Sequence, residues 1–277
     1  MPQSLEQIKG GNQQDKLFLQ PIAYKTLRLS GWNDGDRVLI FNDLHVPFHD
    51  VALLKAVLRF QADFKPHGII IAGDWNDIYE LSTFDKNPSR RFSLQDELDI
   101  GHGLLKEVRD ISPNARMVFI EGNHEDRLRR WLWKNSGAAS LRSNTVESQL
   151  GFAELKIDSV CYGSMVNLCG FLVEHGYRAA KSGAFPANVA RLMAVERGIS
   201  GLCGHDHRSQ VYRWADQRGS HTYINNGCLC LRTLEYVANP NWQSGFCAGR
   251  IFDGRFFPEP IMVQGKGFIG DGKLYRL

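Results

Sequence analysis

Short apolar runs alternate with segments of helical spacing in the first half of the chain. The apolar runs, each bounded by turn or polar residues as buried strands are, lie at residues 37–43, 68–74 and 115–123. The helical segments lie at residues 51–64, 93–111 and 125–135. Ser93, with Asp96 three residues later, predicts the N-cap of the second helix. This alternation predicts a parallel, doubly wound α/β half.

The second half of the chain has a different pattern. Residues 160–173 contain strand-like segments, residues 188–197 have helical spacing, and residues 201–203 form a short apolar run. Turn signals flanked by β-rich runs then predict hairpins at Arg218-Gly219, Asp253-Gly254 and Asp271-Gly272. The C-terminal third should therefore be mostly antiparallel. One domain with two packed sheets and outer helices fits this order better than two independent domains.

The first 35 residues are mixed and polar, and they end in the turn signal Asn33-Asp34-Gly35-Asp36. We expect residues 1–35 to be an N-terminal extension packed on the domain, with a strand around residues 17–29. Residues 36–277 should form the single domain. Residues 1–15 contain no apolar segment typical of a secretory signal, and no apolar run approaches the ~20 residues that cross a membrane. These features predict a cytoplasmic protein without a membrane partner; they leave its oligomeric state open.

Composition and charge narrow the class of protein. Of 277 residues, 43% are hydrophobic and 23% charged, which is typical of a globular chain and not of a disordered one. The net charge of +3 is below that of a dedicated nucleic-acid binder, but it does not exclude a nucleic-acid substrate. The six cysteines form no CxxC pair, so we expect reduced thiols. We interpret Cys228 and Cys230 as core or strand residues, with a soft-metal site as the alternative.

Asp, Asn and His residues follow five of the predicted strands. The five blocks are DLH at 43–45, GDWND at 73–77, GNHE at 122–125, HG at 175–176 and GHDH at 204–207. In open α/β sheets, ligands bind beyond the carboxyl ends of the strands. The five blocks should therefore converge on one crevice.

The side chains in these blocks predict a metal centre. Seven of them offer oxygen or imidazole nitrogen: Asp43, His45, Asp74, Asn123, His175, His205 and His207. A set without thiolate suits Mn, Fe, Zn, Ni or Mg. Seven donors exceed the needs of one ion that also binds water and substrate, and they fit two ions that share a carboxylate. Such a pair, about 3.5–4 Å apart, clamps a phosphorus centre for in-line displacement. We expect two divalent ions, with manganese the first choice.

In their order and spacing the five blocks resemble the calcineurin-like metallophosphoesterase superfamily, whose pattern is DxH, GDxxD, GNH(D/E), H and GHxH. The resemblance spans residues 43–207, and the GHDH ending is similar to the bacterial and phage-type branch. It implies an α/β fold: a four-layer sandwich of two packed, mixed parallel and antiparallel β-sheets flanked by helices.

The resemblance also implies a role for each residue. The first metal would be held by Asp43, His45 and His207, the second by Asn123, His175 and His205, and Asp74 would bridge them. His124 would not be a ligand but a general acid, or a group that holds the phosphate oxygens. Asp77 would orient His124, fix its tautomer and raise its pKa towards the working pH. Without the resemblance, Asp77 is interpreted as a helix N-cap and Glu125 as a first-turn carboxylate.

The implied reaction is hydrolysis of a phosphate ester by a metal-bound hydroxide. We expect a phosphodiesterase that acts on a nucleotide or nucleic-acid-type substrate, with a phosphomonoesterase as the alternative. A protein phosphatase is disfavoured. Ile78 and Tyr79 follow Asp77 in this chain, whereas the protein phosphatases of the superfamily have Arg-Gly at these two positions. A non-catalytic scaffold, as in the retromer complex, is disfavoured because His124 and every ligand are present. A nuclease of a larger repair complex would need a basic surface that the charge of +3 does not predict.

Three residues are candidates for substrate contact. Arg127 lies on the helix that begins beside His124, and Tyr177 and Arg178 follow His175. The alternative for Arg127 is a solvated basic helix face, which is also how we interpret Trp131 and Trp133. The segment 78–92 should lie over or beside the site. The remaining histidines, which we expect to be structural or solvated, are His49, His67, His102 and His221. For His49, which follows the first block closely, the alternative is that it lines the site.

Overall fold

Two mixed β-sheets form the centre of the molecule in the computed structural model, which describes residues 24–141, 143–178, 188–233 and 241–277. The first sheet has the spatial order β12 (Arg255–Met262), β11 (Gly245–Phe252), β2 (Arg37–Phe41), β3 (Gly68–Ala72), β4 (Arg116–Ile120) and β5 (Ile157–Val160). The second has the order β1 (Thr26–Leu29), β6 (Met165–Leu168), β7 (Phe171–Val173), β8 (Gly201–Cys203), β10 (Gly219–Asn226) and β9 (Ser209–Asp216). A separate hairpin consists of β13 (Gly267–Gly270) and β14 (Lys273–Arg276).

The helices follow the predicted segments to within one residue. The longer ones are α1 (Val51–Phe64), α2 (Leu94–Ile111), α3 (Glu125–Lys134) and α7 (Val189–Arg197). Between α3 and β5 lie the single turns α4 (Ser136–Ala139), α5 (Val146–Gln149) and α6 (Phe152–Leu155), and a 3₁₀ turn spans Tyr79–Leu81. Ser93 and Asp96 form the predicted capping box at the start of α2.

Alternation along the buried strands separates the layers. In β2, Val38 and Ile40 belong to the core between the two sheets, whereas Leu39 and Phe41 belong to the core beneath α1 and α2. On the far side, Met193 of α7 packs with Tyr223 of the second sheet. The order of layers is therefore helices, sheet, sheet, helix, and the predicted sandwich of two mixed sheets flanked by helices is confirmed.

The structure follows only in part the predicted division into a parallel first half and a mostly antiparallel C-terminal third. Strands β2 to β5 are parallel, and each predicted hairpin forms, at β9–β10, β11–β12 and β13–β14. The hairpins β9–β10 and β11–β12 belong to different sheets, because β11 pairs antiparallel with β2 while β10 pairs parallel with β8. The second sheet thus also contains parallel pairs, which the sequence pattern alone does not predict.

The described part of the N-terminal extension packs on the domain. Strand β1 pairs in parallel with β6. It forms the C-terminal end of the segment 17–29, in which a strand was expected. Trp32 lies against Gly68, where an added Cβ would be 2.5 Å from the indole ring. Residues 1–23 lie outside the described residues, and the boundary at residue 35 stays a prediction. None of the helices in the described ranges combines the length and apolarity that a membrane crossing requires.

Candidate metal centre and active site

The five sequence blocks meet at one edge of the two sheets. Backbone hydrogen bonds tie the loops together: Asp43 N–H donates to the Gly73 carbonyl at 3.0 Å, and His45 N–H donates to the Asp74 carbonyl at 3.0 Å. In the second sheet, Gly204 N–H donates to the His175 carbonyl at 2.9 Å. The carboxyl ends of neighbouring strands thus bring all seven predicted donors into one cluster, as expected for this class of sheet.

Backbone strain is concentrated at these donors. Five of the seven adopt left-handed φ angles: Asp43 (52°), His45 (49°), Asp74 (50°), His205 (71°) and His207 (56°). Such conformations cost on the order of 1–3 kcal/mol each for residues other than glycine, and they persist where the surroundings hold them. Here they turn the side chains towards a common centre.

The first donor group contains Asp43, His45, Asp74 and His207, all buried, with ligand atoms within 4.8 Å of one another. Nε2 of His45 lies 2.9 Å from Nε2 of His207, which lies 3.3 Å from Oδ1 of Asp43. That oxygen is buried and has no well-placed hydrogen-bond donor among the described residues. Facing ring nitrogens beside an orphaned carboxylate oxygen fit a divalent cation.

The second donor group contains Asp74, His175 and His205, again within 4.8 Å of one another. Asn123 joins it, because its Oδ1 lies 2.7 Å from Nδ1 of His205 and 3.0 Å from Nε2 of His175. Asp74 belongs to both groups: its Oδ2 is 3.3 Å from Nε2 of His175 and 3.7 Å from Nε2 of His45. The residues present therefore fit two ions that share the Asp74 carboxylate.

Two glycines allow the carboxylates to approach the backbone. A Cβ on Gly122 would lie 2.0 Å from Oδ1 of Asp74, and a Cβ on Gly204 would lie 2.4 Å from Oδ2 of Asp43. A side chain at either position would displace a carboxylate of the donor groups. The glycines at the strand ends thus serve close packing against the donors.

The charges in the cluster favour ionised carboxylates. Burial alone would raise the pKa of Asp43, but the imidazoles of His207 and His45 hold it far below its usual range. Asp74 is affected in the same way by His124 and His175. Burial lowers the pKa of His205 to about 4, whereas Asp74 outweighs burial and raises the pKa of His175 to about 9.

His124 stands beside the donors, held by Asp77. Nδ1 of His124 is 2.9 Å from Oδ1 of Asp77 and 2.7 Å from the Asp77 carbonyl oxygen, which fixes the Nδ1–H tautomer. Nε2 lies 3.7 Å from Oδ2 of Asp74 and receives a hydrogen bond from Arg127 at 3.1 Å. Asp77 raises the pKa of His124, as expected, but the net shift is downward. Burial, the largest effect, and the nearby His45 outweigh Asp77 and Asp74 and hold the pKa of His124 below its ordinary value.

An open cleft of about 540 Å³ lies over the cluster. Arg127 lines it, as do residues of the segment 78–92, which contributes Tyr79, Ser82, Phe84 and Asp85. Tyr177 and Arg178 are absent from the described lining, because the Tyr177 hydroxyl and the Arg178 guanidinium both contact Glu196 on α7. The geometry thus brings one of the three candidate substrate contacts to the cleft.

Two buried glutamates organise the loops. Glu125 was expected only as a first-turn carboxylate, and no sequence motif singles out Glu97. Glu125 accepts hydrogen bonds at 2.8–3.1 Å from the N–H groups of Gly122, Asp74, Trp75 and Asn76. Burial and the nearby Asp74 raise the pKa of Glu125 to about 7 against the effect of these donors. Glu97 of α2 accepts from the N–H groups of Ile78 and Tyr79. A glutamate at a helix start, directly after the Gly-Asn-His turn that ends a buried strand, is the signal that would have found Glu125.

Further contacts surround the first donor group. Asn42 donates to Oδ2 of Asp43 at 2.5 Å and accepts from Asn226 at 2.5 Å. The Trp242 ring packs edge to face on His207, with centroids 4.4 Å apart. Cys228 and Cys230 are buried, which fits the interpretation as core residues. With His207 they also form a third group of possible ligand atoms within 4.8 Å of one another, so the alternative of a soft-metal site stays open.

The other residues considered in the sequence lie apart from the donor groups. His67 accepts from Arg37 N–H, and His221 contacts Asp216. His49 forms a β-bridge with Cys230, and burial lowers its pKa. His102 packs against Gly151, and Trp131 and Trp133 are 40% and 59% exposed.

A family model for calcineurin-like phosphoesterases matches residues 36–220, about two thirds of the chain. The chain belongs to the calcineurin-like phosphoesterase family. Membership of this family supports the interpretation that the protein is a hydrolase whose substrate is a phosphate ester. The Gene 54 protein of Mycobacterium phage D29 is 25% identical over 261 residues, which cover 87% of this phosphoesterase and 99% of the phage protein.

Solved structures similar to this phosphoesterase include a dimetal phosphatase from Danio rerio, with 12% identity, a TM-score of 0.42, and coverage of 83% of this chain and 96% of that one. Vps29 from Chaetomium thermophilum has 12% identity, a TM-score of 0.38, and coverage of 84% and 87%.

Proposed function

We propose that this calcineurin-like phosphoesterase is a dinuclear-metal phosphodiesterase that acts on a nucleotide or nucleic-acid-type substrate. The observation that carries the proposal is the Asp74 carboxylate, which is common to both donor groups. In the proposal, Asp43, His45 and His207 hold the first ion, Asn123, His175 and His205 hold the second, and Asp74 bridges them. Two divalent ions, with manganese the first choice, would lower the pKa of water and neutralise phosphate charge when bound.

The chain's own contribution to bond cleavage is a positioned proton. Nδ1 of His124 is held by Asp77, so Nε2 is the atom directed to the ester. Water adds to phosphorus and releases one proton to solvent, and the phosphorus–oxygen bond to the leaving group breaks. In this step His124 acts as the imidazolium: Nε2, which accepts from Arg127 in the neutral form, carries a proton and passes it to the departing oxygen. The lowered pKa of His124 makes this imidazolium a stronger acid and also reduces its share at neutral pH.

The charge of the cleft favours a diester over a monoester. Arg127 is the one lysine or arginine among the described residues that line it, and Asp77 and Asp85 lie in the same wall. Arg127 donates to the Asp77 carbonyl at 2.7 Å as well as to His124, which places a guanidinium beside the proposed acid. The bound ions would attract either ester. Beyond them, the single guanidinium suits the one negative charge of a diester better than the nearly two charges of a monoester at neutral pH.

The proposed compartment is the cytoplasm. All six cysteines are free thiols, and four of them are buried: Cys203, Cys228, Cys230 and Cys247. Proteins that keep several unpaired thiols are typical of reducing compartments.

Hydrolysis of two chromogenic esters tests the proposal. Metal-stripped protein receives Mn²⁺ and is assayed with bis-p-nitrophenyl phosphate and with p-nitrophenyl phosphate, with His124→Ala as the control against contaminating enzyme. We expect faster cleavage of the diester, lost in the variant. A preference for the monoester would indicate a phosphomonoesterase instead. Failure to cleave either ester with two ions bound would favour a scaffold.

A further inference from the structure

Three aromatic side chains line the cleft over the donor groups: Tyr79, Phe84 and Trp242. They differ in what covers their rings. Tyr79 lies beneath the guanidinium of Arg90, 3.5 Å from its centroid, and Trp242 packs on His207. Phe84 is 75% exposed. Its ring therefore remains open to a ligand in the cleft.

The backbone of Phe84 is held although its ring is exposed. Phe84 N–H donates to Oγ of Ser82 at 3.0 Å, and its carbonyl accepts from Nζ of Lys86 at 3.1 Å. The Tyr79 hydroxyl bridges the same segment, since it donates to the Asp85 carbonyl and accepts from Asn87 N–H at 2.7 Å. A ring this exposed adds little buried area to the fold. The loop thus presents an aromatic face to the cleft without needing it for stability.

The position of Phe84 relates it to the proposed reaction. Its loop begins after Asp77, the residue that holds His124, and the loop is anchored to α2 through Glu97. Trp242 reaches the same cleft from the side of His207, whose carbonyl accepts from Gln243 N–H at 2.8 Å. Phe84 thus lines the same cleft as Asp77, His124 and the donor groups, in which the ester group of a bound substrate would lie.

Charge decides which kind of group fits there. Asp85 follows Phe84 and lines the same cleft, and the Lys86 ammonium, 3.1 Å from the Phe84 carbonyl, offsets its charge. The surroundings of the ring are therefore close to neutral, which suits an uncharged, flat group that stacks on it. Nucleobases stack on exposed aromatic side chains in a sequence-tolerant way.

We infer that Phe84 is the specificity-determining residue that stacks on the nucleobase of a nucleoside phosphodiester. The inference rests on the proposed phosphodiesterase function and adds the group that recognises its substrate.

Two diesters with the same leaving group test it. Thymidine 5′-p-nitrophenyl phosphate carries a base, and methyl p-nitrophenyl phosphate does not. With Mn²⁺-loaded protein, we expect Phe84→Ala to lower kcat/KM for the thymidine ester about 5- to 100-fold more than for the methyl ester. Phe84→Trp should restore the preference. Phe257→Ala, at a phenylalanine that is 56% exposed on β12, is the matched control and should leave the ratio unchanged.

Binding of thymidine 5′-monophosphate, measured by calorimetry on the same Mn²⁺-loaded proteins with inorganic phosphate as the reference, separates the two claims. Weaker nucleotide binding in Phe84→Ala, at unchanged phosphate binding, supports the stacking role even if neither diester is cleaved. In that case it is the proposed function that fails. Equal losses of kcat/KM for both diesters in Phe84→Ala would overturn the inference, as would nucleotide binding that does not depend on Phe84. Cleavage of the diesters would still support the proposed function in either case.

Discussion

Oδ1 of Asp77 lies 2.9 Å from Nδ1 of His124 and 3.2 Å from Nδ1 of His45. One buried carboxylate therefore orients both the proposed proton donor and a proposed metal ligand. Its pKa is held well below the usual range, since hydrogen bonds from the two imidazoles outweigh burial. Carboxylates that orient metal-bound histidines in this way set both ring tautomer and ligand basicity.

Asp77→Asn should lower kcat for bis-p-nitrophenyl phosphate about 10- to 100-fold, because the amide no longer fixes either imidazole by charge. Metal affinity should fall as well, through His45. Asp99→Asn, at an exposed carboxylate on α2, serves as the matched control. An Asp77→Asn enzyme with wild-type kcat would show that the contact has no part in catalysis.

His124→Ala should keep both ions and lower turnover roughly 10²- to 10⁴-fold, the usual contribution of a general acid. The loss should grow as the leaving group becomes more basic, since a poor leaving group needs the proton most. Rates for p-nitrophenyl and phenyl diesters, with metal content measured on the same samples, check this. An equal loss for both leaving groups would contradict the role of proton donor.

Gly122→Ala should lower metal affinity and activity, because the new Cβ meets Oδ1 of Asp74 at 2.0 Å. Gly103→Ala in α2 is the control, since nothing lies within 4 Å of its Cβ. There the substitution should stabilise the helix by about 0.5–1 kcal/mol. Metal titration and urea denaturation of both variants separate the effects. Unchanged metal affinity in Gly122→Ala would mean that Asp74 can move without consequence.

Glu125→Gln should reduce the free energy of unfolding by about 1–3 kcal/mol, because one oxygen that accepts backbone N–H groups becomes an NH₂ group. Glu107→Gln, on the exposed face of α2, is the matched control and should change stability little. Urea denaturation monitored by circular dichroism measures both. Equal stability of the two variants would show that Glu125 does not hold the loops.

The donors could be predicted from the sequence because each follows a recognisable strand within a few residues. Parallel strands align their carboxyl ends, so local patterns were enough to place Asp43, Asp74 and Asn123 together. The contacts of Glu125 could not be predicted in this way, since its donors Asp74 and Trp75 lie about 50 residues away.

Nearness in the sequence was a poor guide to substrate contact. Tyr177 and Arg178 follow the donor His175 after a single glycine. Gly176 turns the chain at φ +92°, and Glu196 binds both side chains. Phe84 lies seven residues beyond Asp77 and reaches the cleft, because the segment folds back around Tyr79. The pKa of His124 likewise depends on burial and on His45, which no local pattern contains.

Electron paramagnetic resonance of Mn²⁺, added to metal-stripped protein at two equivalents, shows whether two ions share Asp74. We expect the broad, exchange-coupled spectrum of a bridged Mn²⁺ pair. Asp74→Ala should lose this spectrum, bind both ions more weakly and have no measurable turnover, since the bridge between the donor groups is removed. A wild-type spectrum of isolated Mn²⁺ ions, or a coupled spectrum that survives in Asp74→Ala, would contradict the shared site.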